Sequence, residues 1–361
     1  MLISQKSKEI IDSCRFCWMC RHICPIGNAT GQERNNARAR ALSLSMVERG
    51  FEMSESIAQN LYECALCGAC TKECATGWDP VKFTKETRLE AVINGKAPAF
   101  VDTMLQNLET TGNVYGITGI GELEDVIDTL PKTSGTLFYL GSDARTAGRK
   151  CAADAILLLK KAGVDFTVLK DEPDSGYAMD FLVGGADETK QAMQKAAQML
   201  TYDTIVVYDP ADAKVFLHEY KEWDIPLKAN IIPFPAFLNT LIKTGKLSPQ
   251  KGNTTFTIQD PAHLARDLEE TEDLREILTA CGDVKEMLLN RKDTMWAGNL
   301  LMKEYMPNTI DLVAKNRWEN AKSTGADALV CASISEYLAL DAVKPDDMKL
   351  LTLEQAVLAC L

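Results

Sequence analysis

Eight of the twelve cysteines in this chain fall within residues 14–74, in two copies of one spacing, C-x₂-C-x₂-C-x₃-C. The first copy is Cys14, Cys17, Cys20 and Cys24, followed by Pro25; the second is Cys64, Cys67, Cys70 and Cys74. Three cysteines two residues apart wrap a loop around one corner of an iron–sulfur cubane, and the fourth, set off by three residues, points elsewhere. In two-cluster proteins that fourth thiolate ligates the other cluster. The pattern therefore predicts two [4Fe–4S] clusters, one on Cys14, Cys17, Cys20 and Cys74 and the other on Cys64, Cys67, Cys70 and Cys24. Zinc also takes four thiolates, but its usual sites pair two short hooks rather than two complete quartets. A disulfide framework would leave the repeated spacing unexplained and suits an oxidising compartment.

The opening MLISQKSKEI lacks the features of a secretory signal, and no stretch approaches the roughly 18 apolar residues of a membrane span. The expectation is a cytoplasmic protein, with peripheral attachment to a membrane left open. A net charge of −12 argues against a nucleic-acid partner, whose phosphates reward basic surfaces. Residues 1–100 carry 13 Lys/Arg against 11 Asp/Glu, a net of +2 that leaves −14 for the rest. Positive groups near the motifs suit thiolate-held anionic clusters, whereas the acidic remainder reads as solvated surface.

A chain of 361 residues with 46% apolar content implies two or three domains. Between the motifs, QERNNARARALSLSMVERG is rich in helix formers and stops at Gly50; Ser54 caps the next helix. After them, Asp79-Pro80 supplies an N-cap and first-turn proline for a helix ending at Gly95. From about Thr136 the pattern changes to β-prone runs alternating with helical stretches, as in parallel α/β units. TLFYLG, VDFTVL, TIVVYD and ANIIPF are followed by a matching series, TTFTIQD, VKEMLL, ALVCAS and MKLLTL. The architecture expected is α + α/β: an all-helical two-cluster domain over 1–100, a helical connector over 101–133, and two duplicated α/β domains over 134–247 and 248–361.

Near the motifs, Arg15, Arg21, His22 and Lys72 would either raise a cluster's potential by stabilising its reduced form or be solvated charge. Because all eight thiolates are present, His22 is expected outside the ligand set. Trp18, Ala65, Leu66 and Ala69 are expected to shield the clusters from water. Cys151, Cys281, Cys331 and Cys360 stand alone and read as small core residues, with Cys151 the best candidate among them for a reactive thiol. Gly119-Ile120-Gly121 and Gly184-Gly185 lack the context of a dinucleotide site, and three histidines offer no nucleophile–base pair.

The paired motifs followed by a duplicated α/β region resemble the iron–sulfur subunits of heterodisulfide reductase and of anaerobic glycerol-3-phosphate, glycolate and lactate dehydrogenases. In that family each C-terminal copy is a cysteine-rich CCG domain, to which Asp260-Pro261-Ala262-His263-Leu264-Ala265-Arg266 is similar where the family has D-P-C-H-L-G-R. Gly325-Ala326-Asp327-Ala328-Leu329-Val330 is similar to the strand before its last cysteine pair. The ligand positions depart from the family. In the second copy they read Ala262, Trp296-Ala297-Gly298 and Ser333-Ile334-Ser335-Glu336; in the first, Ser142, Asp174-Ser175-Gly176 and Asp209-Pro210-Ala211-Asp212. The disulfide chemistry of heterodisulfide reductase is therefore not transferred, and the acidic residues Asp174, Asp209, Asp212 and Glu336 are read as solvated loop ends rather than ligands of a hard cation. The resemblance implies an electron-transfer subunit of anaerobic metabolism, working with a flavoprotein or other redox subunit, and having no catalytic residue of its own. The alternative is an enzyme that reduces a quinone or another substrate bound at the α/β domains. Trp296 is expected either as a partner contact or as core filling the vacated ligand space.

Overall fold

The computed structural model describes Ser4, Ile11 and residues 14–361. The chain is an α + α/β protein, and local chemistry accounts for its helical N-terminal part. Asn36 accepts from the Ala39 N–H at the start of Ala37–Glu48, and Ser54 accepts from Ile57 at the start of Glu55–Tyr62. Asp79 accepts from both Val81 and Lys82, and with Pro80 in the first turn it starts Pro80–Ile93. Each cap satisfies amides that the first helical turn leaves without partners.

Among the described residues seven strands follow, all parallel. β1 (Thr136–Tyr139), β2 (Thr204–Val207) and β3 (Asn230–Pro233) form one sheet in the order β1-β2-β3. β4 (Thr255–Gln259), β5 (Asp283–Val284), β6 (Ala328–Cys331) and β7 (Lys349–Thr352) form the other in the order β5-β4-β6-β7. The expected strand VDFTVL is not one: it contributes a single bridge, Thr167 to Leu137, on the outer side of β1. Likewise VKEMLL keeps only Val284, paired through β5. With that bridge counted, both units order their segments second, first, third, fourth. The edge segments are short because each packs at the sheet margin, where pairing on one side alone supports few ladder bonds.

Two cores decide how the parts sit together. Phe138 and Val206 of the first sheet, with Phe234 at the start of the helix after β3, share an apolar core with Phe256, Ile258 and Val330 of the second. Another core joins Leu44, Leu61 and Phe83 of the helical region to Phe181, Leu182, Trp296 and Ile310. Helix Pro25–Thr30 packs on Pro307–Lys322, and Tyr177–Val183 packs on Pro80–Ile93. The motif region is thus seated on both α/β units, and its second motif faces inward.

Candidate metal centre

The two motifs fold alike at the backbone. Phe16 and Trp18 flank Cys17 with φ of 51° and 74°; Leu66 and Gly68 flank Cys67 with φ of 52° and 75°. Three of these four residues carry a Cβ that disfavours the left-handed region, at roughly 1–3 kcal/mol each. Alternating backbone of this kind turns amides toward one side and makes a concavity suited to an anion. Amides reach the sulfurs directly. Gly27 N–H donates to Cys24 Sγ at 3.4 Å, Phe16 donates to Cys14, and Ala69 donates to Cys67.

The fourth cysteine of each motif lies with the other motif. Cys74 faces Cys14 and lines a small cavity with Cys14, Cys17, Cys20 and Cys70. Cys24 lies in the electrostatic field of Cys64, Cys67 and Cys70. Among the described residues no three thiols, imidazoles or carboxylates are close enough to share a single ion. Burial pushes the free Cys20 and Cys67 thiols up to about 11 and Cys70 well above its ordinary value. Thiolates at these positions require adjacent positive charge, which ferric and ferrous iron supply; the donor set fits iron–sulfur chemistry.

The two groups differ in exposure. Cys17 is exposed, whereas Cys67 is buried with Ala65, Leu66 and Ala69 around it. All three residues are buried, as shielding of a cluster there would require. Trp18 does not follow suit: it stands half exposed, with the Arg38 guanidinium 3.9 Å from its ring centroid. His22 is exposed at the surface.

The cations that matter most were not apparent in the sequence. Arg21 is exposed and pairs with Glu33, and Lys72 pairs with Glu73 and Asp293. Buried Arg40 instead lies in the field of Cys64, Cys24 and Cys70, its guanidinium held by the Asn35 and Asn60 carbonyls at 3.0 and 3.1 Å. Arg88, wholly buried, donates to the carbonyls of Leu61, Cys64 and Phe181. Arg266 donates to the Cys67 carbonyl at 2.9 Å. Arginines inside helices ordinarily read as surface, and only tertiary packing turns these three toward the second motif.

The α/β ligand positions are refilled by carboxylates in place of thiolates. Glu336 accepts from the Ala262 and Ala297 amides at 2.9 and 3.1 Å and from Gln259 at 2.7 Å. One buried carboxylate thereby ties together the segments that a cluster would tie in the family resembled. In the first unit Asp212 accepts from the Ser175 hydroxyl. The reading of these acids as solvated loop ends is corrected: Asp209, Asp212 and Glu336 are buried, and Asp174 is half buried. They face a chamber of about 40 Å³ between the two units, together with Ser142, Asp143, Tyr177, His263 and Trp296. Burial lifts Asp143 and Asp174 to about 6 and Asp212 well above the usual carboxylate range. Trp296 is 3% exposed, so it fills the vacated space as core and is unavailable to a partner. Cys151, Cys281 and Cys331 are buried, and burial raises Cys151 and Cys281 to about 12, which removes Cys151 as a reactive thiol. Cys360 is half buried against Cys281.

Comparison with known proteins bears on the same residues. Residues 10–78 match the 4Fe-4S dicluster domain family. A dihydromethanophenazine:CoB–CoM heterodisulfide reductase subunit of Methanosarcina acetivorans is 25% identical over 89% of this chain and 86% of its own length. An uncharacterized iron–sulfur protein of Methanocaldococcus jannaschii is 23% identical over 94% of this chain and 69% of its own. A probable membrane-anchored ferredoxin of Chromohalobacter salexigens is 28% identical over 62% of this chain, which spans only 36% of that protein. The chain thus carries a 4Fe-4S dicluster domain over residues 10–78 and is similar along most of its length to a heterodisulfide reductase subunit, and among its described residues no helix is long and apolar enough to cross a membrane.

Proposed function

We propose that the chain is a two-cluster electron relay of a multi-subunit oxidoreductase, with a first cluster on Cys14, Cys17, Cys20 and Cys74 and a second on Cys64, Cys67, Cys70 and Cys24. The observation that carries this reading is the exchange of the fourth cysteines, with Cys74 facing Cys14 and Cys24 facing Cys64, Cys67 and Cys70. Crossed ligation holds two clusters close, which is what sequential single-electron transfer needs.

Exposure gives the relay a direction. The first cluster lies at the surface beside Cys17, Trp18 and Met19, the two apolar side chains being 50% and 44% exposed. Leu42 and Met46 are also exposed, one and two turns along Ala37–Glu48 from Arg38, whose guanidinium lies over the Trp18 ring. A flavoprotein or another redox subunit docks here and exchanges electrons with the first cluster; the second, buried against the α/β units, is the inner station. The α/β units, over 134–247 and 248–361, hold the inner cluster's surroundings and carry no cluster of their own. The similar heterodisulfide reductase chain of Methanosarcina acetivorans is named as one subunit of its enzyme, which supports a redox partner for this chain.

The test is iron and acid-labile sulfide in anaerobically purified full-length protein. About eight of each per chain are expected from two complete quartets. Four would reduce the reading to one cluster, and zinc in place of iron would sink it.

A further inference from the structure

Four cysteines lie outside the two motifs, and the fold sets two of them against each other. Cys151 faces Glu354, Asp154 and Asp341, and Cys331 faces Glu336, Asp209 and Glu354 while donating its thiol to the Ser333 carbonyl. Cys281 is different: the group that faces its thiol is the thiol of Cys360, and Cys360 Sγ lies 3.7 Å from the Cys281 carbonyl oxygen.

Backbone bonds hold the two residues side by side. The Gly252 amide donates to the Cys281 carbonyl at 2.9 Å, and the Gln250 amide donates to the Cys360 carbonyl at 2.7 Å. Amides two residues apart are separated by at most about 7 Å, and a disulfide spans Cα atoms roughly 4.4–6.8 Å apart. One short segment, leading into β4, thus brings both cysteines to about that spacing. The helix that ends at Cys281, Glu272–Cys281, packs on Phe234–Lys243 after β3 and on Leu353–Leu358, which precedes Cys360. Cys281 is wholly buried in the core that the two sheets share, whereas Cys360 packs at its edge and is partly exposed.

We propose that Cys281 and Cys360 are a dithiol that a low-molecular-weight disulfide oxidises to an intramolecular disulfide, a reversible staple across the helices that join the two sheets. Cys360 is the entry point, because its sulfur is the accessible one. Its thiolate attacks one sulfur of the small disulfide RSSR, the S–S bond breaks, and RS⁻ leaves and takes up a proton. Cys281 is the resolving thiol: burial and the neighbouring Cys360 push it up to about 12, so it stays protonated until the mixed disulfide is in place. It then gives its proton to the second RS⁻ as its sulfur displaces that group from Cys360. Two protein thiols and RSSR become one protein disulfide and two RSH; the protein loses two electrons and the small disulfide gains them. Excess RSH runs the exchange backwards. The staple ties the segment after Leu358 to the end of Glu272–Cys281, with the stretch Gln250–Gly252 held between them, and a cross-link of this kind restricts the unfolded chain. No motif thiol takes part, so the inference stands apart from the cluster assignment.

The test uses full-length, cluster-loaded protein incubated anaerobically with oxidised glutathione, quenched in acid and denatured in excess N-ethylmaleimide. Mass spectrometry of the whole chain and of its tryptic peptides reads the result. Alkylated cysteines should fall by two from the twelve of the chain, with one linked pair of peptides containing Cys281 and Cys360, and dithiothreitol should restore the full number. Cys281→Ser should stop at a glutathione adduct on Cys360, and Cys360→Ser should leave Cys281 alkylated. The denaturant midpoint of the parent should rise on oxidation, while that of Cys360→Ser should not move. Full alkylation of the parent, a lasting glutathione adduct on its Cys360, or a bridge from either residue to a motif cysteine would each overturn the staple.

Discussion

The Asp209 carboxylate of the first α/β unit accepts a hydrogen bond from the Ser333 hydroxyl of the second at 3.0 Å, and the same oxygen accepts from the Ile334 amide at 2.9 Å. Asp209 and Ser333 both occupy positions where the family resembled carries cysteine. Asp209 thus caps the helix Ile334–Asp341 from across the boundary between units, while its other oxygen caps its own helix through Ala211. Asp209→Ala should destabilise the protein by about 2–3 kcal/mol, the cost of uncapped buried amides, and Ser333→Ala by about 1 kcal/mol. Denaturant midpoints of cluster-loaded protein would check the order; equal effects would count against the cross-unit cap.

Cys74→Ser should perturb the cluster held by Cys14, Cys17 and Cys20 and leave the cluster at Cys64, Cys67 and Cys70 comparatively intact, although Cys74 belongs to the second motif. Paramagnetic resonance of the two reduced clusters distinguishes them. Loss confined to the second motif's cluster would refute crossed ligation.

Arg40→Met should lower the second cluster's potential and spare the first, because a buried positive charge in the field of Cys64, Cys24 and Cys70 favours the more negative reduced state. A shift of the order of 60 mV corresponds to about a tenfold change in the one-electron equilibrium. Redox titration of both clusters is the check. Arg15, exposed at the surface, makes the control: Arg15→Met should do much less.

Glu354 is buried, accepts from the Tyr208 hydroxyl at 2.6 Å, and is raised to about 7 by burial. A carboxyl with a folded pKa above its unfolded value near 4.3 ionises first in the unfolded chain, so stability declines as pH rises from about 4 to 7. Glu354→Gln should therefore raise stability at pH 7 by about 1–3 kcal/mol, with little gain at pH 4. Unfolding curves at both values would show it; an equal gain at each pH would point to packing.

Cysteine spacing and helix caps are local, and both were legible. The repeated spacing from Cys14 to Cys74 pointed to [4Fe–4S] chemistry because ligand chemistry dictates such spacing, and Ser54 and Asp79 start helices because their side chains bond amides two or three residues away. The β-prone runs were visible in composition, but the run at Thr167 could not be told from a strand, since whether it pairs along its length depends on a neighbour distant in sequence.

The sequence by itself determined the kind of cofactor, the eight thiols and the α + α/β succession, all encoded in spacing and periodicity over a few residues. Tertiary structure alone decided that Arg40, Arg88 and Arg266 turn toward the second motif and that Asp209, Asp212 and Glu336 lie buried where solvated loop ends were expected. The physical reason is that local sequence is equally compatible with a solvated charge and a buried one. Only partners brought from elsewhere in the chain, such as the Cys67 carbonyl for Arg266 and the Ala262 and Ala297 amides for Glu336, make burial tolerable.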